Sequence, residues 1–345
     1  MSANVALLLM WLLLAVYGVI LAIDLGAGAF LAWAYVRRLP ALERVVEAYA
    51  TPVWEAVNGY LILLLLGMEA FFPRVINVYA AVLLIPLGIT FALLSARYVG
   101  FAMRHIRVAS LGRVGGLVAP LLLGVVGLLT PLPAMTFFTV LQGQGVRVVG
   151  GVVRYSLVGL VGRPLTLTFM LLALAAELHL GATVVEWFAA LMREEGARRT
   201  ARRAALGFGG AVAVVALLAL AVYAGSVPGA RVGIVAHAWL WALSLACLAA
   251  SVALQAAGRA GALATALSAA MYLGGFIALG LSQVPWLVRG QVTTAAAFTT
   301  GAMARDIAWV YALGTLVVVV PSAALLTAYV VGAARRAGQQ PAGTG

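Results

Sequence analysis

Apolar residues run along this chain in long blocks, broken by short clusters of arginine, glycine or proline. A hydrocarbon layer about 30 Å thick is crossed by about 20 residues of α-helix. Runs of that kind lie at approximately 5–34, 52–72, 75–96, 114–133, 164–191, 207–224, 233–256, 261–284 and 307–331. The pattern predicts an all-α integral membrane protein with nine transmembrane helices in a single membrane domain over 1–345. The first and fifth runs exceed the required length and should tilt or project. Pro73 forces a tight turn between the second run and the third, and 134–163, with its "QGQGVRVVGG", is the longest connection. None of the connections is long enough to bury a soluble core. The first run lacks a basic flank and a cleavage signal, so it is expected to stay as a membrane helix.

Composition agrees with the pattern. Of 345 residues, 65% are hydrophobic and 9% charged, and the mean hydropathy is +1.10. Soluble domains run nearer half apolar and a quarter charged. A net charge of +12 would suggest nucleic acid in a soluble chain, but here all 22 basic residues are arginines that punctuate apolar runs, so no nucleic-acid partner is expected. Fifteen arginines, Arg97 and the Arg198–Arg203 group among them, follow odd-numbered runs or form the tail, and seven follow even-numbered runs. The positive-inside bias then places the N-terminus outside and the C-terminus in the cytoplasm of a multi-pass plasma-membrane protein. The single cysteine, Cys247, excludes a disulfide framework or a cysteine metal cluster. Zinc spacings, phosphate loops, nucleophile elbows and nucleotide fingerprints do not occur.

The informative residues are the polar ones inside apolar runs, because a carboxylate at the bilayer centre costs about 2.5–3.5 kcal/mol on insertion scales. Five acids remain there: Asp24, Glu55, Glu69, Glu177 and Glu186. Asp24 opens "DLGAGAF", whose small residues allow close helix approach, so the acid should face protein. Glu55 and Asn58, three apart, share a helix face. Glu69 follows nearly four turns later, on a stripe about 20 Å long that should pack inward. Two plainer readings stand beside this: Glu55 as a first-turn acid behind Pro52, and Glu69 as an interfacial acid beside Pro73 and Arg74. Glu177 and His179, in "AAELHLGATVVEW", lie near mid-span. Glu177 could join a proton relay and His179 could ligate haem, although a lone histidine is more often hydrogen-bonded than metal-bound. Two function classes stay open on these residues: a secondary transporter of a small solute, or an integral subunit of a redox or proton-moving complex.

The order of motifs favours the second. "AIDLGAGAFLAW", then "TPVWEAVNGYLILLLLGMEAFFPRVINVYAAV", resembles subunit II of cytochrome bd-type ubiquinol or menaquinol oxidases, in which an acidic, glycine-spaced first helix precedes a P-x-W-D-G-N-x-V-W segment and a short Phe/Pro turn. "ARYVGFAMRH", "APLLLGVVGLLTPL" and "GATVVEWFAALMREEGARRTARRAAL" are similar to the family's third, fourth and fifth helices in the same order. Spans six to eight match mainly in number. The departures are Ile20 where the family has a second first-helix acid, Glu55 for the motif's aspartate, Ala56 for its glycine, and Asn58 one position later.

The resemblance implies two four-helix bundles plus one peripheral helix, and a heterodimer with a haem-bearing subunit I, with which a small accessory subunit can associate. It implies no haem bound by this chain alone, haems b and d in the partner, contact with membrane lipid and quinol, and room for a bound quinone or lipid. Such a complex oxidises quinol and reduces oxygen to water, while this chain alone would have no activity. Asp24, Glu55 and Asn58 would then form a buried polar cluster for proton delivery or subunit docking.

Overall fold

The structure is a computed structural model that describes residues 2–106, 118–149, 152–259 and 261–339. Helix α1 (Ala3–Arg37) begins at Ser2, whose Oγ accepts from the Val5 N–H. It ends at Arg38 in a left-handed conformation, where the Arg38 and Leu39 N–H groups close onto the Tyr35 and Ala34 carbonyls. Helix α2 starts at once and runs Pro40–Phe71. Proline suits this first position because its missing N–H would have had no helical partner. Pro52 and Glu55 therefore lie well inside a continuous helix, and the reading of Glu55 as a first-turn acid is corrected. Glu43 and Glu47 belong to α2 as well.

Helix α3 covers Pro73–Ile106, and α4 is the broken fourth span, Val118–Leu141, with a π-helical turn at Leu122–Val126. The long connection is more structured than the all-α expectation allowed. Strands β1 (Val146–Val149) and β2 (Val152–Tyr155) form an antiparallel hairpin, followed by the short helix α5 (Leu157–Val161). Then come α6 (Pro164–Leu191), α7 (Glu195–Ser226), α8 (Ala230–Ala236), α9 (Ala238–Ala256) and α10 (Ala262–Gln283). A second small hairpin, β3 (Trp286–Val288) with β4 (Val292–Thr293), leads through α11 (Thr294–Ala297) to α12 (Gly301–Gln339).

Among the described residues, eight helices are long and apolar enough to cross a membrane; α2 contributes a shorter apolar segment, Gly59–Phe71. Lipid supplies no hydrophobic drive for helix association, so close packing and hydrogen bonds must hold the helices together. Helix α1 is central and packs on α2, α4, α6 and α10. Helix α6 pairs with α7, α9 with α10, and α12 with α2. The outward side of α12, with Trp309, Val310 and Leu313 exposed, has the apolar character of a lipid-facing surface.

Candidate functional site

Close backbone approach sets the geometry around Asp24. A Cβ on Gly26 would fall 2.8 Å from the Gly181 Cα and would also collide with the Glu177 carbonyl. One on Gly124 of α4 would strike the Ala32 side chain and lie 3.0 Å from the Gly28 carbonyl oxygen. The "DLGAGAF" glycines thus let α1 touch α6 on one side and α4 on the other.

Between these helices lies an ion pair. Arg97 on α3 donates from Nη1 to Asp24 Oδ2 at 2.6 Å and from Nη2 to the Asp24 carbonyl at 3.2 Å. Both side chains are 1% exposed. Gly28 and Gly127 leave the space that the guanidinium occupies. Asp24 faces protein, as its small neighbours suggested. Arg97, however, is not a loop arginine marking the cytoplasm, which corrects the tally to fourteen against seven and leaves its sign unchanged. Arg97 also acts on Glu177, which α6 presents from the other side, buried, with Oε2 lacking a hydrogen-bond partner among the described residues.

The side chains of residues 48–58, and with them Glu55 and Asn58, lie outside the described residues. Glu69 is exposed, so the inward-packing stripe does not reach that end of α2 within this chain. At the other end of α6, Glu186 accepts from Arg202 Nε at 2.8 Å.

His179 faces away from Glu177. Its Nδ1 lies 3.1 Å from the Ala205 carbonyl and its Nε2 3.0 Å from Ser268 Oγ. Ser268 Oγ meets Ser251 Oγ at 2.8 Å, and Gln255 Nε2 donates to Thr183 Oγ1 at 3.0 Å and Ser251 Oγ at 3.4 Å. Gly209 packs over the ring, where a Cβ would be 3.1 Å from Cε1. Both ring nitrogens are engaged and the ring is covered, so His179 does not fit an axial haem ligand. Among the described residues, no group of three or more His, Cys, Asp or Glu comes together as a metal site.

A cavity of about 200 Å³ opens beside Glu177, walled mainly by apolar side chains that include Phe138, Phe169 and Phe276, with Trp241 and Tyr272 adding polar edges.

Comparison with known proteins decides the family. The family model for cytochrome bd terminal oxidase subunit II matches residues 2–330. The chain belongs to that family. The membership replaces the transporter alternative. A putative cytochrome bd menaquinol oxidase subunit II of Bacillus subtilis is 23% identical over 209 residues, which is 59% of this chain and 58% of that protein, so the chain spans less than two thirds of this relative's length. The solved bd oxidase structure from Geobacillus thermodenitrificans superposes with a TM-score of 0.80 at 27% identity, covering 95% of this chain and 98% of the matched chain.

Sequence reasoning placed Asp24, Glu177 and His179 inside this subunit II, where the structure has them. It missed Arg97, whose signal is a single arginine with apolar residues on both sides, "FALLSARYVGFAM". It also missed Ser251, Gln255 and Ser268, which look like ordinary small or polar positions in apolar helices.

Proposed function

We propose that this chain is the non-haem-ligating subunit II of a quinol:oxygen oxidoreductase, paired with a haem-bearing subunit I that carries haems b and d. The observation that carries the reading is His179, which is buried with both ring nitrogens committed to Ala205 and Ser268. In this reading α2 is the ninth crossing, two four-helix bundles and a peripheral α12 make up the membrane domain, and the N-terminus lies outside. The chain supports the haem-bearing subunit. Its apolar cavity of about 200 Å³, smaller than the roughly 300–1,000 Å³ usual for ligand pockets, suits oxygen access better than a quinone head group.

The test separates the chain from its partner and records the reduced-minus-oxidised spectrum. No stoichiometric haem band is expected, with or without His179→Ala. A band that disappears in that variant overturns the reading.

Asp24, Glu55 and Asn58 are assigned to proton delivery or subunit docking, and the ion pair divides their expected behaviour. In the intact complex, Asp24→Asn strands the Arg97 charge and should lower haem content through poor assembly. Glu55→Gln should retain full haem and lose oxygen consumption if Glu55 carries protons. Normal turnover in Glu55→Gln removes it from the path.

A further inference from the structure

Four span ends converge on one face of the protein. Leu141 closes α4, Pro164 opens α6, Ser226 closes α7 and Gln283 closes α10. Between them, beside the ends of these apolar spans, lies an open basin of about 940 Å³. Four arginines line it, Arg147, Arg154, Arg163 and Arg289, and no Asp or Glu does.

Three of the four sit where electrostatics alone would not put them. Arg147 and Arg154 are directly opposite each other on the β1–β2 ladder, and facing like charges destabilise a strand pair. Arg163 occupies the N-cap of α6, the positive end of a long helix dipole, where anions are favoured. Its Nε is buried and has no hydrogen-bond partner among the described residues. Arg289 is hydrogen-bonded to Gln142, Tyr223, Ser282 and Gln283, all neutral. Its ordered placement comes from a rigid floor: the Arg289 N–H donates to the Leu141 carbonyl at 2.9 Å, and Gln291 ties to both Val146 and Val148 at 2.8 Å. Arginine's planar fork matches phosphate oxygens. Around the basin, Val149, Val152 and Val158 are 61%, 60% and 84% exposed, an apolar rim beside a basic centre.

We infer that this basin binds the phosphate of an anionic phospholipid, with the acyl chains lying along the apolar rim. The inference stands on the basin and not on the haem assignment above.

The test uses the purified complex of this chain with its haem-bearing partner, stripped of lipid in detergent. Phosphatidylglycerol, phosphatidylcholine of the same acyl chains, and inorganic phosphate are added separately. Bound lipid is counted by native mass spectrometry and the thermal transition is followed. Phosphatidylglycerol should bind and raise the transition, while the other two should not. The double variant Arg147→Gln/Arg154→Gln should need about tenfold more phosphatidylglycerol for half-maximal binding while keeping full haem. The single variant Arg154→Gln, at an exposed position, should show a smaller shift in the same direction. Equal binding by the parent complex and both variants overturns the site. Equal stabilisation by inorganic phosphate overturns the lipid as its source, and loss of the partner subunit from the double variant assigns the arginines to an acidic segment of that partner instead.

Discussion

Helix α6 serves two polar regions built on opposite plans. On one face the buried Arg97–Asp24 pair is held where glycines bring α1 against α4 and α6, with Glu177 buried nearby on α6. Away from that face, His179 enters a neutral network of hydroxyl, amide and carbonyl groups drawn from α7, α9 and α10. A buried charge costs far more than a buried hydroxyl unless its counter-ion is in contact. The two regions should therefore respond very differently when a single partner is removed.

The largest effect is expected at the ion pair. Arg97→Leu leaves Asp24 buried without its cation and should destabilise the protein by about 3–5 kcal/mol, read as loss of assembled complex and a lower thermal transition. The double variant Arg97→Leu/Asp24→Leu removes both charges, and replacing a buried pair by apolar residues is often neutral. It should recover most of the complex. If the double variant is as poor as the single one, the pair has a role that charge compensation does not explain.

Next comes the close approach that frames the pair. A methyl group at Gly181 would sit 2.7 Å from the Gly26 Cα, against backbone that cannot rotate away. Gly181→Ala should cost about 1–3 kcal/mol, whereas Gly210→Ala on the neighbouring α7, with nothing within 4 Å of the added carbon, should be neutral. Equal thermal transitions for the two would contradict the helix contact.

How much of this could be read in the sequence follows from how local each signal is. Helix α6 occupies Pro164–Leu191, the residues of the fifth apolar run, because a proline at its first position and the Met192–Glu194 turn bound it. The reading of Glu55 as a first-turn acid takes Pro52 as a helix start, but a membrane helix can carry proline internally, and α2 begins at Pro40. The β1–β2 hairpin was hidden in a connection whose glycines read as irregular chain. The burial of Asp24 was legible from its small neighbours. Its partner was not, since Arg97 lies 73 residues away and sits in a stretch that resembles the end of a span. The network around His179 was invisible for the same reason: Ser251, Gln255 and Ser268 acquire meaning only when α9 and α10 fold against α6.

The smallest expected effect belongs to that neutral network. Ser268→Ala removes the Nε2 partner of His179 and one neighbour of Ser251. Ser251 keeps the Ala264 carbonyl at 2.8 Å, and the His179 ring stays anchored through Nδ1 to Ala205 at 3.1 Å, so neither side chain loses every partner although Nε2 loses its own. Hydrogen bonds between membrane helices average about 0.6 kcal/mol, and Ser268→Ala should lower the thermal transition by a degree or two, about what that energy yields in a chain of this size. Haem content and oxygen consumption of the complex should stay at the parent level. His179→Phe tests the same point from the other side. It removes both ring nitrogens and must also fit beneath Gly209, so its cost should exceed that of Ser268→Ala and stay below that of Arg97→Leu. A loss of oxygen consumption in Ser268→Ala at full haem content would show that the network moves protons, and the contrast between a charged region that holds the subunit together and a neutral one that merely packs it would fail.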